Sequence, residues 1–346
     1  MNYKAFFNTV STKAHCMPVV ILYVTEGCNL KCLSCSYRLP MPGELTFDEI
    51  KHLARELSAF GLKHIVYSGG EPLLRRDFRD ICNLFTVLKV RQTLLTNGLL
   101  LAKRADEFKG VFNEIIVSLD GADTETHNRL RGVNSFDLIL DGIAKARRIN
   151  AAPQISIRTV LQKQNFRQLP GLIELAKQTG VSRISFLAAD VQSEAYGRDN
   201  YPSRGEVASE SSMALNKDEV LELKDIIYRA SVKYKNEFES GLIAESPEKL
   251  HHIAYYYAAI IGNDTFPKNF CNAPMVSAVI TSTGDIHPCF FLPQYGNIRQ
   301  NSFRELINSE PIINTRSRVK VMEPDRCKKC VCTLFVSPRA ALMDRF

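Results

Sequence analysis

Apolar positions along this chain repeat in two periods, and the two alternate. A continuous apolar run at residues 19–24 reads as a buried strand. Thr46 and Glu49 then form a capping-box pair, and Phe47, Ile50, Leu53, Leu57 and Phe60 recur at helical spacing up to Gly61. The same exchange continues down the chain. Short apolar stretches at 64–67, 93–95, 115–119, 155–161 and 184–187 predict strands, and the segments 77–89, 99–108, 135–149 and 166–178 predict helices. Strands alternating with helices imply parallel pairing through right-handed crossovers. Six units fit an α/β fold, a partial (βα)6 barrel of the TIM type, whose chemistry belongs at the C-terminal ends of the strands.

Beyond the sixth strand the pattern changes. Residues 190–214 are rich in Ser, Gly, Asp, Glu and Asn with almost no apolar periodicity, which reads as a linker or substrate lid. Asn216 with Glu219 caps a helix reaching about residue 234, and Ser246-Pro247 opens another ending near Gly262. Apolar stretches at 276–281 and 286–292 flank Ser282-Thr283-Gly284-Asp285, a hairpin pattern. The expected division is a leader at 1–17, a barrel core at 18–190, a linker with helices at 191–264, a small C-terminal α+β domain at 265–335 and a tail at 336–346.

The chemistry sits on this frame. Cys28, Cys32 and Cys35 follow the first strand directly, at C-x3-C-x2-C spacing. Three thiolates hold three irons of a four-iron cluster and leave the fourth open to a small molecule, as an open coordination position separates a catalytic zinc from a structural one. A zinc loop is the competing reading of the spacing alone. Gly69-Gly70-Glu71-Pro72 follows the second strand, where two glycines permit close backbone approach and Glu71 supplies a carboxylate. Cys271, Cys289, Cys327 and Cys330 form a second set. The hairpin brings the first two together and the C-x2-C pair closes a cage for one cluster or one zinc. Cys332 follows as a possible substitute for Cys330. Cys16 and Cys82 read as core filler, and His15, His251 and His252 as structural or solvated.

Together, the three-cysteine loop and the Gly-Gly-Glu turn at successive strand ends resemble the radical S-adenosylmethionine (radical SAM) enzymes. The resemblance implies that a [4Fe-4S] cluster chelates the amino and carboxylate groups of S-adenosylmethionine and cleaves it to a 5′-deoxyadenosyl radical, which abstracts hydrogen from a substrate. Gly69, Gly70 and Glu71 would then receive the methionine ammonium, and Ser118 and Arg131 the carboxylate. Tyr37 would flank the adenosine, and Ser34 would contact the adenine through its backbone. The C-terminal set resembles the SPASM and shorter twitch domains. Four cysteines and a misplaced Cys332 fit the twitch form with one auxiliary iron–sulfur cluster as electron acceptor. A reduced flavodoxin or ferredoxin would supply electrons. The substrate would be a peptide, a sugar-derived molecule or a cofactor precursor. With strand one beginning near residue 18, no winged-helix leader-binding segment is expected, which weighs against the peptide.

Composition adjusts the picture only slightly. The chain has 346 residues, 45% of them apolar, ten cysteines and a net charge of +7. Two clusters would bring the charge to roughly +4, since three thiolates on a cluster add roughly −1 and four roughly −2. Scattered basic pairs form no nucleic-acid stripe. No apolar run approaches the ~18 residues of a membrane span, and no signal peptide is evident. Ten cysteines without a secretory signal point to a reducing, cytoplasmic setting. The sequence names no catalytic acid or base. The alternative from another class is a non-catalytic iron–sulfur or zinc scaffold or redox sensor. The Gly-Gly-Glu turn speaks against it, because a scaffold has no use for an ammonium site.

Overall fold

The computed structural model describes residues 1–35, 39–149, 152–192, 210–344 and 346. Six parallel strands, β1 (Val19–Thr25), β2 (His64–Gly69), β3 (Arg91–Thr96), β4 (Glu114–Ser118), β5 (Gln154–Leu161) and β6 (Arg183–Ala188), are each paired with the next in chain order. Every residue of β1 is buried, whereas β2 and β4 alternate buried with half-buried positions. The difference has a cause. The second face of β1 is covered too: Val19, Ile21 and Tyr23 cluster with Val279, against Phe290 and Phe346, so its sequence is continuously apolar apart from Thr25.

The second partner of β1 is β7 (Ser277–Ile280), which pairs with it in parallel, Val19 opposite Ser277. β8 (Asp285–His287) and β9 (Gly296–Asn297) continue antiparallel, giving a nine-stranded open sheet in the order β6-β5-β4-β3-β2-β1-β7-β8-β9. The predicted hairpin is therefore an extension of the barrel wall. The second expected strand, 286–292, ends at His287, so Cys289 lies in a turn.

Sharing a wall fixes two ends. Residues following β1–β4 form the rim at the C-terminal ends of the strands. Ser277 starts level with Val19 and β8 runs back the other way. Cys271 and Cys289 therefore lie at the opposite end, the base. Seven residues of β1 span roughly 20 Å between the two ends.

Outside the sheet, helices cover the wall as the periodicity predicts. Phe47–Ala59 carries the Thr46–Glu49 capping box and Lys217–Lys233 the Asn216–Glu219 one. Two departures are informative. The segment 99–108 divides into a short helix, Leu101–Arg104, and a 3-10 turn. The expected leader instead contains a helix, Tyr3–Val10, packed toward the base. Arg316, on the Glu310–Lys320 helix and almost fully buried, donates to the carbonyls of Pro274, Thr12 and Ile307 and so ties this segment to the base. Most of the linker reading, 193–209, lies outside the described residues. Among the described residues no helix is long and apolar enough to cross a membrane.

Candidate functional site

The rim site is assembled by loops that meet edge to edge. Gly70 N–H donates to Thr25 O at 2.8 Å and Glu71 N–H to Gly27 O at 2.8 Å, so the Gly-Gly turn lies directly on the backbone entering Cys28. A Cβ on Gly70 would stand 2.2 Å from Gly27 O and 2.5 Å from Glu26 O, which only glycine avoids. Glu44, which the sequence did not single out, braces the same stretch by accepting from Glu26 N–H, Thr25 and Met41 N–H. On the far side, Lys31 N–H and Leu33 N–H donate to the carbonyls of Arg131 and Leu130. These carbonyls close the Thr124–Arg131 helix, and the two amides flank Cys32.

Two side chains aim N–H groups at the sulfurs. Asn97, at the end of β3, donates to Cys28 Sγ at 3.7 Å and to Asn29 Oδ1 at 2.8 Å. Arg131 donates to Cys32 Sγ at 3.8 Å. Burial pushes the Cys28 thiol up to about 11, with the Leu30 N–H pulling the other way. Burial also raises Cys32, opposed by Arg131.

Two of the residues expected at the ligand already hold partners within the chain. Glu71 is fully buried, and its carboxylate accepts from Leu73 N–H, Thr96 Oγ1 and Asn97 N–H at 2.7–3.0 Å. Burial raises it to about 7 against those donors. Through these three donors it joins the second and third rim loops. Gly69 and Gly70 remain half-buried at the rim. Arg131, expected on a carboxylate group of the ligand, is already paired with Asp120 at 2.7 Å. Ser118 ends β4, half-buried, in alternation with Glu114 and Ile116. Ser34 is exposed, and Tyr37 lies outside the described residues.

At the base, Cys271, Cys289, Cys327, Cys330 and Cys332 line one cavity of about 460 Å³ that runs into the barrel bore, where Val19, Ile21, Leu95, Ile116 and Arg158 form part of its wall. Asn269 Nδ2 donates to the carbonyls of Cys327, Lys328 and Cys330 at 3.0–3.2 Å and shapes the C-x2-C turn. Cys332 N–H donates to Cys330 Sγ at 3.3 Å. The amides of Leu30 and Phe291, two residues on from Cys28 and Cys289, favour the ionised sulfur there. Burial raises Cys327 to about 11 and Cys289 to about 12.

These features bear on what the sulfurs can hold. Buried thiols raised this far stay protonated unless a cation compensates the thiolate, and N–H groups aimed at sulfur favour the ionised form. All-sulfur donor sets suit zinc, copper(I) and iron–sulfur clusters. The residues therefore fit clusters at both ends. Among the described residues no three His, Cys, Asp or Glu side chains converge as a ready site for a single ion. Cys82 is buried in the main core and Cys16 in a smaller cluster with Met275 and Val276.

Comparison with known proteins bears on both ends. The radical SAM superfamily profile matches residues 22–176 and that of the SPASM iron–sulfur cluster-binding domain residues 271–331. The AdoMet-dependent heme synthase of Methanosarcina barkeri is 30% identical, over 89% of this chain and 85% of its own length. The Fe-coproporphyrin III synthase of the same organism is 26% identical over 90% and 80%. Among solved structures, SuiB of Streptococcus suis bound to S-adenosylmethionine superposes with a TM-score of 0.65 at 18% identity, covering 94% of this chain and 74% of SuiB. The AdoMet-bound anSMEcpe gives 0.62 at 19%, covering 90% and 83%. The cofactors are accordingly a [4Fe-4S] cluster, S-adenosylmethionine bound to it, and auxiliary iron–sulfur. This chain belongs to the radical SAM superfamily, as an enzyme that cleaves S-adenosylmethionine reductively and carries a SPASM iron–sulfur cluster-binding domain.

Proposed function

We propose that the chain is a radical SAM synthase acting on a carboxylate-bearing tetrapyrrole. In this reading Cys28, Cys32 and Cys35 hold the cluster that binds S-adenosylmethionine, and Gly69 and Gly70 lie against the methionine ammonium. Cys271, Cys289, Cys327 and Cys330 would hold one fully ligated auxiliary cluster, a group that would supply an electron acceptor for the substrate. Residues 18–190 form the core and 265–335 the auxiliary-cluster region. A reduced flavodoxin or ferredoxin supplies electrons.

The observation that carries the reading is the contact between the Gly69-Gly70 turn and the backbone at Thr25 and Gly27. It sets the turn beside the three-cysteine loop, where an open iron needs an amino acid end to chelate. For the substrate, the support is threefold. Three relatives matched over 79–85% of their length carry the names heme synthase, Fe-coproporphyrin III synthase and pre-heme d1 synthase. The base cavity that runs into the bore is walled mainly by apolar side chains. Arg158, held through Nε by Ser185 at 3.2 Å, adds a cation to its wall, suited to a carboxylate.

The chain's own residues then divide the work. The apolar bore excludes water from the reacting centre. Arg158 orients the substrate, and Asn97 and Arg131 aim N–H groups at the rim sulfurs. Anaerobic reconstitution followed by dithionite and S-adenosylmethionine tests this. The expected result is release of 5′-deoxyadenosine that accelerates on adding iron coproporphyrin III, an acceleration lost in Arg158→Ala. Acceleration by a peptide and by no tetrapyrrole would overturn the substrate assignment.

A further inference from the structure

Cys32 differs from the other rim cysteines in what surrounds it. The loop amides on either side of it donate to the last carbonyls of the Thr124–Arg131 helix. Cys32 is thus docked on the negative end of a helix, which disfavours a thiolate. Gly132 ends the helix in the left-handed region, φ 72°, and a Cβ there would stand 2.3 Å from Lys31 O. The loop is therefore fixed to this helix end at close range.

One cation offsets that unfavourable field. Arg131 lies with its guanidinium between Asp120, at 2.7 Å, and Cys32 Sγ, at 3.8 Å. Both members of the ion pair are largely buried. Asp120 is itself held firmly. Its other oxygen accepts from Val160 N–H at 2.9 Å, its carbonyl accepts from Asn165 Nδ2 at 2.8 Å, and its N–H donates to His127 Nδ1 at 3.3 Å. Arg131 Nε is buried without a hydrogen-bond partner among the described residues. An arginine buried at that cost, with its counter-ion clamped from three sides, is positioned for what its remaining N–H faces, and that is the sulfur.

We propose that Arg131, held by Asp120, is a positioning residue for Cys32, and that its charge-assisted N–H···S hydrogen bond raises the reduction potential of the cluster bound there. Hydrogen bonds to cluster sulfurs and nearby charge are among the factors that set such potentials. The proposal rests on the reading of Cys32 as a cluster ligand. It assigns Arg131 to the sulfur in place of the methionine carboxylate.

The test is a potentiometric titration of the reconstituted enzyme, following by EPR the reduced cluster whose signal changes on adding S-adenosylmethionine. Arg131→Gln is expected to shift the reduction equilibrium at least tenfold toward the oxidised form, about 59 mV for one electron, with iron content and S-adenosylmethionine Kd close to the parent. Arg131→Lys, which keeps the charge without the fork, is expected to recover part of the shift. An unchanged potential with a raised Kd in Arg131→Gln would overturn the proposal in favour of a carboxylate contact. Equal loss of iron in both variants at unchanged potential would reduce Arg131 to a structural role and overturn it too. Failure of the underlying reading shows separately, as full rim iron in Cys32→Ser.

Discussion

The two cysteine sets of this protein sit at opposite ends of one strand and are held in different ways. At the rim, three sulfurs lie on a loop whose neighbours are other loops, with Asn97 and Arg131 reaching in from the ends of β3 and the Thr124–Arg131 helix. At the base, four sulfurs and Cys332 line the bore cavity, and the turn carrying two of them is shaped by Asn269. In the proposed reading the rim set would leave a coordination position to fill, and the base set would close its cluster. The contrast teaches that access, more than the number of thiols, divides the labour. In the proposed reading the rim end meets the cosubstrate, and the base end faces the bore.

The largest break in this comparison comes from the rim. Cys32→Ser is expected to abolish 5′-deoxyadenosine release while leaving the base cluster loaded, about four irons per chain instead of about eight, as measured by iron and nucleoside assays. Gly70→Ala is expected to follow closely. Its Cβ collides with Gly27 O and Glu26 O, so rim iron falls, base iron stays, and calorimetry records a loss of about 3 kcal/mol. At the other end, Arg316→Met leaves the carbonyls of Pro274 and Ile307 without their donor. A loss of about 2–4 kcal/mol follows, with base iron the first to go. Equal losses of iron at both ends in either variant would erase the distinction.

The smallest effect is a pair of opposite pH slopes in the cluster-free chain. At the base, burial lowers His64 to about 4 from 6.5. The unfolded chain therefore takes up the proton first, and stability is lost as pH falls from 6.5 toward 4. At the rim, burial raises Glu71 to about 7 from 4.5. The folded state holds that proton more tightly, and stability is lost as pH rises from 4.5 through 7. Thermal midpoints across this range should flatten on the acid side in His64→Gln and on the neutral side in Glu71→Gln. Identical profiles in both variants and the parent would remove the two assignments.

Much of this was legible in the chain. The six alternating units and the rim motifs are local, so spacing alone places Cys28, Cys32 and Cys35 after β1 and the glycine turn after β2. What escaped was non-local or lacked apolar contrast. Nothing near Ser277 announces that its strand pairs in parallel with β1, because that register is set by contacts across more than two hundred positions. The Thr124–Arg131 helix is almost wholly polar and buries only Thr126, His127 and Leu130, so no periodicity marks it. Asp123, which accepts from Thr126 N–H, and Gly132, which ends it at positive φ, are its sequence signals. Glu71 and Arg131 were found by motif, but their partners Thr96 and Asp120 decide what each can touch.

The most direct test of the account replaces Cys271, Cys289, Cys327 and Cys330 together with serine. Reconstituted anaerobically and reduced in the presence of S-adenosylmethionine, this variant should bind about four irons and still release 5′-deoxyadenosine at a rate near the parent's, because the rim alone performs the cleavage. A folded variant that binds those four irons and releases none would contradict the account.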